Sequence, residues 1–150
     1  MKKIPVLLIS LVLLFSLSSC AVVERGGENS ADTVTIRNAE IYDGYAVLPL
    51  CDTIAAMGFQ LTWVDGNRAT FVCNDTEYEI SISEKTLTKR GESDNYLICA
   101  PGNDHFVCEV ENGVLTVDDL TLQCLFQTFL EYPVSISIDR NDNVVTIVKQ

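Results

Sequence analysis

The stretch from Tyr45 to Cys73, YAVLPLCDTIAAMGFQLTWVDGNRATFVC, constrains the fold more than any other part of the chain. It reads as strand, helix, strand, turn and strand. Tyr45 to Leu48 is apolar and strand-like, and Pro49 then supplies a fixed φ and lacks an N–H, which suits the first turn of a helix, where that donor has no partner in any case. Leu50, Ile54 and Met57 fall at helical spacing and give a short helix one buried face. Gly58 is free to take the left-handed conformation that ends a helix, after which Phe59, Leu61 and Trp63 alternate with Gln60 and Thr62 in strand period. Asp65 to Arg68 turns the chain into a strand from Ala69 to Cys73.

Upstream, Lys2 and Lys3 precede an apolar run from Ile4 to Leu17 that is short for a bilayer span, so residues 1–19 read as a signal peptide. The run closes on Leu17-Ser18-Ser19-Cys20, which resembles a bacterial lipobox. That chemistry needs small residues before the cut and a thiol at the first mature position to carry the lipid. Lipidation of Cys20 predicts a membrane partner, with the protein held on the outer face of the cytoplasmic membrane, because several acyl chains anchor stably where one is marginal. Ala21 to Asp32 has no hydrophobic period and contains Gly26-Gly27, so it reads with Cys20 as a flexible tether over residues 20–32. Fully extended, it reaches about 40 Å.

From Thr33 onward, residues 33–150 suffice for one domain with a core of its own. The chain holds 21 acidic and 10 basic residues, and losing Lys2 and Lys3 with the signal leaves 8 basic ones and a net charge of −13. Such a surface repels phosphates, and no Lys/Arg cluster opposes it, so nucleic acid is excluded as a partner. A soluble, secreted surface explains the acidity equally well. Of the 6 cysteines, lipidation of Cys20 leaves Cys51, Cys73, Cys99, Cys108 and Cys124, an odd number that cannot all pair within one chain. Cys99 and Cys108 flank Ala100 to Asp104, and a hairpin with arms Tyr96 to Ala100 and His105 to Val110 would set them opposite each other, within reach of a disulfide. Cys51 and Cys124 fall on predicted helices and suit buried free thiols.

Before the opening unit, Val34-Thr35-Ile36 and Ala39-Glu40-Ile41 read as two short strands around Arg37-Asn38. After it, Thr76 to Ser83 alternates with Tyr78, Ile80 and Ile82 on one face, Ser83 to Lys85 turns, and Thr86 to Lys89 is a further strand. The second half then repeats the plan. Gly113-Val114-Leu115 stands where Tyr45-Ala46-Val47 stands, and Thr116 with Asp119 makes a capping box for a helix through Leu120, Cys124, Phe126, Phe129 and Leu130. Pro133 ends that helix, Val134, Ile136 and Ile138 alternate with serines, Asp139 to Asn143 turns, and Val144 to Val148 is the last strand. Two such units predict an internal repeat. The expected fold is α+β, small antiparallel sheets packed on two helices in two related β-α-β-β halves.

These residues carry a resemblance to the copper amine oxidase-like N-terminal domain, an extracytoplasmic module of Gram-positive bacteria with a "VPLR...A..LG..V.W" pattern, a turn and a "TVTI" strand. Val47-Leu48-Pro49-Leu50 and Ala55-Ala56-Met57-Gly58 match the first part, Leu61-Thr62-Trp63 the aromatic strand, and Asn143 to Ile147 the closing strand. Ile82 to Leu87 resembles the family's "IGSKT" connector. Cys51 stands where the family carries arginine, and the second half lacks the proline. The resemblance implies a stalk or binding accessory at the cell envelope, with no cofactor and no oxidase reaction.

The oxidase reaction itself needs three histidines on copper and a tyrosine in a Thr-x-x-Asn-Tyr motif, whereas this chain has one histidine, His105, and its Asn95-Tyr96 lacks the threonine. A zinc site from Cys99, His105 and Cys108 fits no close-set ligand pair, and His105 and Cys108 on one strand point to opposite faces, which disfavours a Cys-His nucleophile. Asp139-Arg140-Asn141-Asp142-Asn143 has oxygen ligands at the first, third and fifth places of a calcium loop, but Val144 stands where that loop needs glycine. Asp118 and Asp119 fall in the first turn of the second helix, where negative charge suits the dipole. The sequence therefore predicts a non-enzymatic lipoprotein that binds cell-wall polymer or another surface protein through strand edges or a groove between halves. An envelope hydrolase using paired carboxylates and a cysteine-based metal-binding sensor are the alternatives.

Overall fold

The computed structural model describes residues 22–25, 32–98 and 108–150. The expected signal peptide, Cys20, Cys99 and His105 lie outside them. Strands β1 (Val22–Arg25), β2 (Thr33–Arg37), β3 (Glu40–Tyr42) and β4 (Tyr45–Pro49) lead into helix α1 (Leu50–Ala56). Next come β5 (Thr62–Trp63), β6 (Arg68–Cys73), β7 (Thr76–Ser81), β8 (Thr86–Lys89) and β9 (Asn95–Leu97). After β10 (Cys108–Glu111) and β11 (Val114–Asp118), helix α2 (Asp119–Cys124) runs on into one π turn, Leu125–Phe129. β12 (Val134–Asp139) and β13 (Val144–Lys149) follow. The fold is α+β and mainly sheet. Its three antiparallel sheets have the orders β1-β2-β13-β12, β10-β11-β4-β3 and β5-β6-β7-β8-β9. No helix among the described residues is long and apolar enough to cross a membrane.

The middle sheet joins two hairpins back to back. β3–β4 turns on Asp43-Gly44 and β10–β11 on Asn112-Gly113, and all four residues have positive φ (49, 86, 51 and 81°), the geometry of a type I′ turn. β4 and β11 then pair antiparallel with Leu48 opposite Val117. Gly113 thus matches Gly44, one residue away from the expected match to Tyr45. Buried Ala46 and Leu48 correspond to buried Leu115 and Val117, so the pleat fixes this register. At this junction β4 and β11 meet as hydrogen-bonded neighbours.

Each hairpin feeds a helix that turns the chain onto an outer sheet. α1 ends as the sequence predicts: Gly58 (φ 96°) donates to Ala55 O and Phe59 N donates to Ile54 O, a Schellman motif. The second helix starts later than the expected capping box. Thr116 stays in β11, and Asp118 is the cap. Its buried face is also different from the one expected: Leu122, Leu125 and Phe126 at helical spacing point inside, which leaves Leu120 and Cys124 exposed, and the π turn Leu125–Phe129 then carries Leu130 into the core with Phe129 only partly buried.

In the third sheet β5, β6 and β7 are consecutive neighbours, while in the first β12 and β13 are completed by β2, from the beginning of the chain. The expected strand Phe59 to Trp63 is shortened to Thr62–Trp63. β2 and β3 do not pair with each other. Asn38 (φ 55°) turns the chain between sheets. The expected tether also departs from the sequence reading, since Val22–Arg25 is a strand paired with β2, Val22 opposite Arg37. One core runs through the molecule, and an aromatic seam closes it: Phe59 packs on Phe71 (5.8 Å), Phe126 (6.2 Å) and Tyr132 (5.0 Å). Each fully buried large side chain there contributes about 1.5–3 kcal/mol.

Candidate functional site

Asp118 and Asp119 are the paired carboxylates that the sequence places at a helix start, and both are absorbed by the fold. Asp118 is fully buried. Its Oδ1 accepts from Thr121 N (2.7 Å) and its Oδ2 from Thr121 Oγ1 (3.1 Å). Asp119 lies where β11 would next face Ala46, but the backbone has left for α2, and its carboxylate takes over by accepting from Ala46 N at 2.7 Å. Burial pushes the Asp119 carboxyl above the usual carboxylate range and the Asp118 charge adds to this, against the Ala46 N–H and Arg140, which pull it down. Asp118 is thus engaged by the Thr121 amide and hydroxyl, and Asp119 by the Ala46 amide.

Cys108 is disulfide-bonded. Its expected partner, Cys99, lies outside the described residues. The expected hairpin arms do not pair with each other where described: Asn95–Leu97 is bonded to β8 in one sheet and Cys108–Glu111 to β11 in another. Lys85 links the two, its Nζ donating to Cys108 O at 2.7 Å while its carbonyl accepts from Ile98 N. Cys51, Cys73 and Cys124 are free. Burial, with the Asp52 charge behind it, pushes the Cys51 thiol up to about 11, and burial also raises Cys73, against Lys149. Both are protonated at neutral pH and poor metal ligands or nucleophiles. Of the two expected buried thiols, Cys51 is half-buried and Cys124 is exposed, 3.8 Å from the Tyr96 hydroxyl.

No cluster of three or more His, Cys, Asp or Glu able to hold a metal occurs among the described residues. In the calcium-like run, Asp139 Oδ1 accepts from Asn141 N (2.9 Å) and Asp142 N (3.4 Å), an Asx turn. Asp65 does the same for Asn67 and Arg68 at the corresponding turn before β6.

Among the described residues, the outer face of the third sheet offers one surface open to a ligand. The register sets Thr62, Thr70, Glu79, Thr88 and Asn95 in one row across β5 to β9. Beside it Val72 lies opposite Glu77. Two shallow depressions of about 380 and 350 Å³ open on this face, both bordered by Thr70 and Glu77. The Glu77 carboxylate is paired with Arg90, Glu79 stands 3.9 Å from Arg68, and Thr88 Oγ1 donates to Asn95 Oδ1 at 2.7 Å. The face offers hydroxyl, amide and ion-paired groups in a flat array. Period-two alternation in Thr76 to Ser81 marks such a face in sequence, but the row across strands needs the pairing register, which sequence does not supply. Comparison with family models, curated proteins and solved structures finds no match for this chain.

Proposed function

We propose that this chain is a lipid-anchored, non-enzymatic binding or stalk module of the cell envelope, built from a duplicated unit of the copper amine oxidase-like N-terminal type. The matching hairpin-helix order and the two Asx turns support the duplication. The anchor rests on Lys2, Lys3, the apolar run and Cys20. One observation carries the functional reading: Asp118 and Asp119 bond backbone and side chain within the fold, leaving a shallow polar sheet face as the ligand surface. A flat array of hydroxyls and amides suits a polyhydroxylated polymer, so cell-wall glycan is the preferred ligand and another surface protein the second. The Cys99–Cys108 disulfide belongs to this proposal.

The test is sedimentation of the mature chain, carrying Cys20→Ser, with purified wall glycan. Retention that falls at least about tenfold, or about 1.4 kcal/mol, in Thr70→Lys and Thr88→Lys supports the reading. Shortening of the glycan by the chain would make it a hydrolase, and equal retention of all variants would move the ligand elsewhere.

A further inference from the structure

β1 begins at Val22, two residues after Cys20, so the anchor and the folded domain are separated by about 7 Å of chain at most. The first strand of the sheet is therefore pinned near the lipid, and the strand ends around it follow. Val22 faces Arg37 at the end of β2; from there Ala39 N donates to Asn143 O (3.0 Å), and Arg140 Nη2 donates to Gly44 O (3.0 Å). These bonds place the Asp43-Gly44 hairpin tip at the same end of the molecule. That tip carries Tyr42, 63% exposed and the most exposed large apolar side chain among the described residues, opposite Tyr45. An amphipathic ring held at headgroup level is the arrangement that tyrosine favours at membranes.

Resting on the lipid-anchor reading, we propose that the Tyr42–Tyr45 hairpin tip sits in the headgroup layer of the bilayer, so that the domain rides on the membrane surface and exposes its other end. Glu40 and Asp43 on this tip are offset by Arg37 and Arg140 at the same end, so a zwitterionic headgroup layer suits it. The second hairpin tip supplies a matched control. β4 and β11 are antiparallel, so Asn112-Gly113 lies at the opposite end of the middle sheet, with exposed Val114 in the place of Tyr45.

The experiment uses the full lipidated chain in phosphatidylcholine vesicles brominated near the headgroup, in a Trp63→Phe background that removes the native tryptophan. Severalfold stronger quenching of Tyr42→Trp than of Val114→Trp is expected. Inserting a ten-residue Gly/Ser spacer between Ala21 and Val22 should reduce the first to the level of the second. Equal quenching at both positions, on protein whose mass shows acylated Cys20, overturns the orientation and leaves the anchor standing. A mass without acyl chains overturns both.

Discussion

At the start of α1 the chain relies on Pro49, which makes no side-chain cap bond, whereas at the start of α2 Asp118 accepts from the Thr121 amide and hydroxyl. The helix ends differ in the same way. Gly58 closes α1 through backbone alone, while the second helix, whose Tyr132 N donates to Phe126 O (2.8 Å) past Glu131 at φ 49°, is held in addition by Asn74 Nδ2, which donates to Leu130 O (3.1 Å) and Glu131 O (3.2 Å). Across the β4–β11 junction Asp119 reaches the Ala46 N–H, while Leu50 stands at the corresponding position of the first half. The ends of α1 are thus set chiefly by proline and glycine, whereas those of α2 are also held by polar side chains. Asp118 and Asp119 are among the polar side chains so used.

The largest expected difference lies in the core. Phe126 spans the seam between α2 and Phe59, so Phe126→Ala should cost about 3–5 kcal/mol in urea unfolding and exceed Ile54→Ala in α1, at about 2–5 kcal/mol. A smaller loss at Phe126 than at Ile54 would break the comparison. Next, Asp118→Ala should lower stability by about 1–2 kcal/mol, against less than about 1 kcal/mol for Pro49→Ala, whose effect acts chiefly on the unfolded chain. The smallest pair has opposite signs. Gly58→Ala should destabilise by about 1 kcal/mol and Glu131→Gly should stabilise by up to about 1 kcal/mol, read as shifts in thermal midpoint.

Much of the first half is legible in sequence because its signals are local. Pro49, Gly58 and the alternation of Thr76 to Ser81 each act within a few residues. The second half is less so. Its helix periodicity is broken by the π turn at Leu125–Phe129, which no propensity marks, and its cap sits at Asp118 because Thr116 is needed in the ladder opposite Pro49. The Asp43-Gly44 and Asn112-Gly113 pairs are strong local signals for two-residue hairpin turns, and both turns form there. The pairing of β2 with β13 and the row of hydroxyls on the third sheet depend on contacts across most of the chain, and composition does not encode them.

Asp119 offers the most direct test that the second half's acids serve the fold. Its native carboxyl titrates above its unfolded value, so the native state holds the proton more tightly. The stability linked to it is therefore greatest below the unfolded value and declines as pH rises through the raised native one. The measurement is an NMR titration following the Asp119 side-chain carbon and the Ala46 amide together. The account predicts a midpoint above that of an ordinary aspartate, shared by both signals although the residues are 73 apart in sequence. An ordinary midpoint with an Ala46 amide that ignores it would contradict the account.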